Sequence, residues 1–256
     1  LMGLLITSSS LLSALAKTQK KDLRGPKATL LSAGLVLVII SLAGPQWGLK
    51  TQETPILSNN LVICLDTSDS MLAEDVKPSR FERSKLELIE AYAKIEKEAP
   101  FRAALVTFAG KAYLQCPLTL DVGALRFILE TSIPGSLPYA GTNLAAALKT
   151  AQALLSKAAG QKDVLLVTDG EDHEGDARAM IGQLQKNRIR VSALWTGNPE
   201  GCPMPLRDDN GNFLGYKKDK RGETAVSKAK SDSLSEIIRQ TGGIFIRLDN
   251  NINPQA

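Results

Sequence analysis

The sequence predicts an α/β domain built on a doubly wound, mostly parallel sheet and preceded by a transmembrane helix. Three observations carry that expectation. Residues 28–49 hold no charged side chain. Beyond them, short apolar runs alternate with longer stretches whose apolar residues recur at helical spacing. Two of the runs end in an aspartate, and open α/β sheets bind ligands beyond the carboxyl ends of their strands.

Residues 1–16 (LMGLLITSSSLLSALA) are uncharged but interrupted by Thr7, Ser8, Ser9, Ser10 and Ser13, which fits a partial membrane helix or an interfacial one. A basic loop follows at 17–27. Residues 28–49 are long enough to cross a bilayer core, which needs about 20 apolar residues. Trp47 falls at the far end, where an indole ring favours the interface, and Pro45 marks the helix exit. The positive-inside rule puts 17–27 in the cytoplasm and everything from residue 50 on the other side, the periplasm in a Gram-negative cell. A linker over 50–60 then leads to a domain over 61–249 and a short tail at 250–256.

Within the domain, 61–66 (LVICLD) is a continuous apolar run of the kind found in a buried parallel strand. Ser79 is placed to cap a helix through about residue 98, with Phe81, Leu86, Ile89, Tyr92, Ala93 and Ile95 as its apolar stripe. A strand over 103–108 and an edge strand over 112–116 come next, then helices near 122–131 and 143–156. Strands over 164–168 and 189–195 enclose a helix near 176–186. A last helix around 234–241 stops at Gly242-Gly243, before a final strand at 244–248. The segment 201–220 breaks the alternation. Its Asp208-Asp209-Asn210-Gly211-Asn212 reads as an Asn-Gly hairpin turn, because a calcium loop needs its Gly at the sixth position and a closing Glu.

Composition narrows the function. The chain has 256 residues, 43% of them hydrophobic and 23% charged, enough for one substantial core plus something smaller. Its net charge of +4 resides in one place, since 17–27 holds Lys17, Lys20, Lys21, Arg24 and Lys27 against Asp22 and the remainder balances. With no basic patch interleaved with aromatics, nucleic-acid binding is set aside. No glycine-rich phosphate cradle follows a strand, so nucleotide binding lacks its signature. Cys64, Cys116 and Cys202 have no metal-ligand spacing and read as free thiols, two of them buried.

The chemistry concentrates in Asp66-Thr67-Ser68-Asp69-Ser70, directly after the first apolar run. An aspartate and two hydroxyls at every second position can converge on one cation. Gly141-Thr142-Asn143 offers a third hydroxyl at a helix start, and Thr168-Asp169-Gly170 a second carboxylate at a strand end. Asp66, Ser68, Ser70, Thr142 and Asp169 thus form an all-oxygen donor set suited to a hard ion, Mg²⁺ or Mn²⁺. The bland alternative is that Asp66 and Ser68 cap a helix and Thr168-Asp169-Gly170 is an ordinary turn.

The pattern Asp66-x-Ser68-x-Ser70, Thr142, Asp169 resembles the metal-ion-dependent adhesion site of von Willebrand factor A (VWA) domains. The blocks at 66–83 (DTSDSMLAEDVKPSRFER), 109–119 (AGKAYLQCPLT) and 166–175 (LVTDGEDHEG) are similar to the membrane-anchored Bat (aerotolerance) proteins of the BatA/BatB type. The likeness spans roughly 28–248. It implies a Rossmann-like VWA fold and a metal-dependent protein–protein interaction, with a partner donating an acidic residue to the ion. Other Bat-type membrane proteins and a MoxR-type AAA+ ATPase are the implied associates. That family usually has Gly where this chain has Asp69. Bat proteins also carry a further membrane helix after the soluble domain, so a start at Leu1 and a stop at Ala256 fit a fragment.

Two readings from other classes stand beside this one. A divalent-metal-dependent phosphoester hydrolase would need a general base, and His173 is the only histidine. A scaffold with a vestigial metal site would be indifferent to loss of Ser68 or Ser70.

Overall fold

The computed structural model describes residues 24–42, 59–98, 101–135, 137–172, 176–208, 211–219 and 221–248. In chain order the elements are α1 (Arg24–Leu42), β1 (Asn59–Asp66), a 3₁₀ turn (Asp69–Leu72), α2 (Arg80–Glu98), β2 (Phe101–Phe108), β3 (Ala112–Thr119), α3 (Val122–Thr131) and α4 (Leu144–Ser156). Then follow β4 (Lys162–Thr168), a second 3₁₀ turn (Ala177–Met180), α5 (Ile181–Lys186), β5 (Ile189–Thr196), β6 (Cys202–Pro203), β7 (Pro205–Arg207), β8 (Phe213–Tyr216), β9 (Val226–Ser227), α6 (Asp232–Thr241) and β10 (Phe245–Leu248). The chain forms two units, Leu1–Glu53 and Thr54–Ala256.

In the larger unit six strands make one sheet, in the order β10-β5-β4-β1-β2-β3. Every neighbouring pair is parallel except β2 and β3. The chain therefore winds outward from β1 through β2 to β3, then returns to lay β4, β5 and β10 on the other side. The doubly wound, mostly parallel sheet is as the alternation predicts, and its switch point lies between β1 and β4.

Period-two alternation along β1 divides the core between the two faces. Val62 and Cys64 join Leu144, Leu148, Leu184, Leu234 and Ile237 under α4, α5 and α6. Ile63 and Leu65 join Phe81, Leu88, Tyr92, Leu125 and Leu129 under α2 and α3. On α2 the buried stripe is Phe81, Leu88 and Tyr92, whereas Leu86 and Ile95 are exposed. The apolar pattern is broader than the face that packs.

Several strands begin earlier than their apolar runs. β1 starts at Asn59 and not at 61, because the buried polar Asn60 belongs to it. Its Nδ2 donates to the carbonyls of Ala159 (2.7 Å) and Gln161 (2.9 Å), and its Oδ1 accepts from Arg102 Nη2 at 2.6 Å. A side chain satisfied this way is invisible to hydropathy. The helix expected over 176–186 opens as a 3₁₀ turn, with Asp176 Oδ1 accepting from the Arg178 N–H at 3.1 Å.

Caps follow the expected chemistry. Ser79 Oγ accepts from the Glu82 N–H at 3.1 Å, and Gly242 closes α6 at φ 74°. Ser79→Ala should therefore cost about 1 kcal/mol of unfolding free energy, measurable by urea denaturation. The hairpin β7–β8 replaces the calcium-loop alternative: Asp208 Oδ1 and Oδ2 accept from Asn212, at 2.7 and 2.9 Å. Asp209 and Asn210 lie outside the described residues. Cys64 and Cys116 are buried free thiols, and Cys202 is half-buried and free.

The N-terminal unit corrects one expectation. The helix there is Arg24–Leu42, so it begins inside the expected basic loop. Pro26 is tolerated in its first turn, where the N–H groups have no intrahelical partner. Its apolar part starts only at Ala28, and among the described residues no helix is long and apolar enough to cross a membrane. The rest of the expected span, 43–49, lies outside the described residues, as do the segments at 1–16 and 250–256.

Candidate metal centre

The site is assembled at the carboxyl ends of β1 and β4, on either side of the switch point. Asp66 is the last residue of β1, and Asp169 follows the last residue of β4. All five predicted residues are buried, with Asp66 and Asp169 fully so.

Asp66 anchors the first loop. Its Oδ1 accepts from the Ser68 N–H at 2.9 Å, and its Oδ2 accepts from Thr168 Oγ1 at 2.6 Å. Ser68 precedes the 3₁₀ turn, yet its hydroxyl makes no capping bond. That hydroxyl pairs with Ser70 Oγ at 2.9 Å. The capping alternative for Ser68 therefore does not describe it. Thr142 comes to the same end of the sheet through its neighbour: the Asn143 N–H donates to the Ala109 carbonyl at 2.8 Å, and Thr67 N–H to that of Phe108 at 2.8 Å. Asn143 Oδ1 caps α4 by accepting from the Ala146 N–H. This leaves Thr142 Oγ1 buried with no hydrogen-bond partner.

Electrostatics at the site follow from burial. The Asp66 carboxyl is pushed up to about 7, first by burial and then by the charge of Asp169. Burial also raises Asp169; Arg80 opposes this and Glu171 adds to it. Two carboxylates in a dry pocket resist ionising together unless a cation joins them.

Sequence reasoning missed three residues around this pair. Thr168 holds Asp66 as described. Arg80 is fully buried and donates from Nη1 to Asp169 Oδ2 at 2.7 Å. Ser227, on the far excursion, accepts from the same Nη1 at 2.6 Å and bonds Glu171 Oε1 at 2.8 Å. A signal for Arg80 existed. It opens a helix, where the macrodipole disfavours a cation, so compensating carboxylates must be near. Ser227 gave no signal at all.

Asp69 stands apart from the ligand set. It pairs with Lys217 Nζ and is partly exposed, so the residue that differs from the family's usual Gly turns outward. The backbone of Asp169 is fixed separately. Its carbonyl accepts from the Lys230 N–H at 2.8 Å and from Trp195 Nε1 at 3.0 Å.

The donor set of two carboxylates and three hydroxyls, one of them orphaned, fits a hard divalent ion. Among the described residues no cluster of three or more His, Cys, Asp or Glu side chains could hold a metal. A site of this composition, with only two carboxylates, does not form such a cluster. His173 lies outside the described residues.

The doubly wound sheet with its site at the switch point is compatible with a von Willebrand factor type A domain, and residues 61–171 match the von Willebrand factor type A domain model. The chain belongs to the Bat, aerotolerance-related branch of these proteins. The structure of BatB from Bacteroides thetaiotaomicron is 32% identical, with a TM-score of 0.69 over 77% of this chain and 94% of that one. An aerotolerance-related membrane protein from Bacteroides fragilis is also 32% identical, with a TM-score of 0.68 over 75% of this chain and 92% of that one. A UPF0353 protein of Nocardia farcinica is 25% identical over 252 residues, covering 93% of this chain and 72% of the relative.

Proposed function

We propose that the chain is a membrane-anchored VWA domain whose Mg²⁺ or Mn²⁺ site captures an acidic side chain from a protein partner in a bacterial envelope complex. The observation that carries this reading is Thr142, a buried hydroxyl without a partner at the end of the sheet that holds Asp66 and Asp169. Leaving such a group unsatisfied costs about 1–3 kcal/mol, a cost that a bound ion offsets.

When bound, the ion supplies a residual positive charge that a carboxylate from outside can fill. Asp66 would hold it with Ser68, Ser70 and Thr142, and Asp169 would complete the charge balance. The Ser68–Ser70 contact keeps both hydroxyls together before any ion arrives. Neutral ligands in three of the five positions are what leave the charge unquenched.

Membrane anchorage belongs to the same proposal. Leu30, Leu31, Leu35, Leu37, Ile39 and Leu42 are all exposed on α1, as on a helix whose solvent is lipid. Ser32, one of the few polar residues there, returns its hydroxyl to the Ala28 carbonyl at 2.8 Å. The basic segment 17–27 then lies in the cytoplasm and the domain in the periplasm. The proposal extends, on the resemblance to Bat proteins alone, to other Bat-type membrane proteins and a MoxR-type AAA+ ATPase as associates, with aerotolerance or envelope stress as the setting.

Thr142→Val tests the site. It removes the orphaned hydroxyl at nearly constant shape, so the ion-free protein should be as stable as wild type or slightly more so. Mg²⁺ affinity should fall about tenfold, equivalent to some 1.4 kcal/mol. Unchanged affinity in a titration would remove Thr142 from the ligand set. A large loss of ion-free stability would show the hydroxyl to be structural.

A further inference from the structure

Arg80 is the only fully buried cation among the described residues. It is held on two sides by carboxylates. Its Nε and Nη2 form a fork on Asp75, at 2.8 and 2.7 Å, while Nη1 reaches Asp169 Oδ2 at 2.7 Å. Ser227 Oγ accepts from Nη1 as well, at 2.6 Å. The guanidinium cannot swing away. Gly197 lies flat against it at φ 116°, and a Cβ there would stand 2.6 Å from Arg80 Nε. Asp75 is fixed too, with its Oδ2 accepting from the Asn198 N–H at 2.6 Å.

We propose that Arg80 and Asp75 act as a pair of positioning residues that set the charge of the metal centre, and through it the affinity for the ion. Arg80 offsets Asp169, and Asp75 draws part of that offset away. A full offset would repel the cation. No offset would bind it so firmly that little charge remained for an outside carboxylate. Because both groups are locked, the balance is a fixed property of the site and not a fluctuating surface pair. The inference rests on the metal-site reading above and adds residues outside the ligand set.

The test is Mn²⁺ titration of the full chain in mild detergent at low ionic strength, read by the electron paramagnetic resonance of free Mn²⁺. A unit charge within several ångströms of an ion, at the effective dielectric of a protein, changes affinity by about tenfold or more. Arg80→Gln should therefore tighten Mn²⁺ binding about tenfold. Asp75→Asn, which keeps shape and an acceptor for Arg80, should weaken it by a similar factor. The double variant should return to within about threefold of wild type. Structural damage predicts weaker binding in all three, and that result overturns the proposal, as does unchanged binding by Asp75→Asn. If Arg80→Gln fails to fold, judged by circular dichroism, the double variant is set aside with it and Asp75→Asn decides: weaker binding by a folded variant supports the proposal and unchanged binding overturns it. Wild type that binds no Mn²⁺ refutes the metal reading itself; wild type that binds, with Asp75→Asn unchanged, refutes only the charge-setting role.

Discussion

Asp66→Asn is expected to abolish Mg²⁺-dependent retention of the partner while leaving the domain folded. Asp66 is the hub of the site, since its two oxygens hold the Ser68 loop and the end of β4. Asparagine preserves the size of the group and an acceptor for one of these bonds. What it removes is a negative charge that burial and Asp169 already disfavour, so the ion-free fold loses little by the exchange. The ion loses a carboxylate with no substitute nearby. The experiment is co-purification from detergent-solubilised membranes, in Mg²⁺ and in EDTA, for wild type and variant. A partner held only by wild type and only in Mg²⁺ is the expected result. The same partners in all samples would mean that the metal is not the bridge.

Gly170→Ala is expected to be the most destabilising single-methyl change near the site, at about 4 kcal/mol or more. Gly170 has φ 79°, and a Cβ would lie 1.8 Å from the Lys230 carbonyl oxygen and 2.9 Å from Leu234 Cδ1. The first obstacle is backbone, which no rotamer change relieves. The Lys230 carbonyl accepts from Trp195 Nε1, and the Lys230 N–H donates to Asp169. Displacing it pulls the loop that positions the second carboxylate. Urea denaturation reads the effect, and a loss below about 1 kcal/mol would show that the loop relaxes freely.

Much of this was legible because the sheet is buried on both faces. Continuous apolar runs such as 61–65 and 164–167, separated by stretches of helical spacing, fit little besides buried parallel strands. The candidate ligands were legible for a related reason, since Asp66, Ser68, Ser70 and Asp169 lie at or just after strand ends and Thr142 at a helix start, positions that need no knowledge of distant contacts. Asn60 and Ser227 were not. Asn60 is a polar residue whose burial depends on the carbonyls of Ala159 and Gln161, remote in the chain. Ser227 reaches the site from an excursion of short strands without periodicity. The stripe on α2 failed at Leu86 and Ile95 because apolar content marks a helix more surely than it marks which face packs. The N-terminal helix begins earlier than the expected 28–49, because α1 takes in Arg24 and Lys27 from the basic segment.

The outer strand of the sheet carries a consequence for assembly. β3 is eight residues long and has its other side open, a shape that invites the same strand from another copy. Pro117 lacks an N–H, and the pairing with β2 slips register near Leu105, so the rim is a poor template for lateral growth. The opposite rim, β10, is four residues long. Both rims of the sheet therefore resist strand-by-strand addition of further copies, so the domain is shaped to stay discrete at high local concentration.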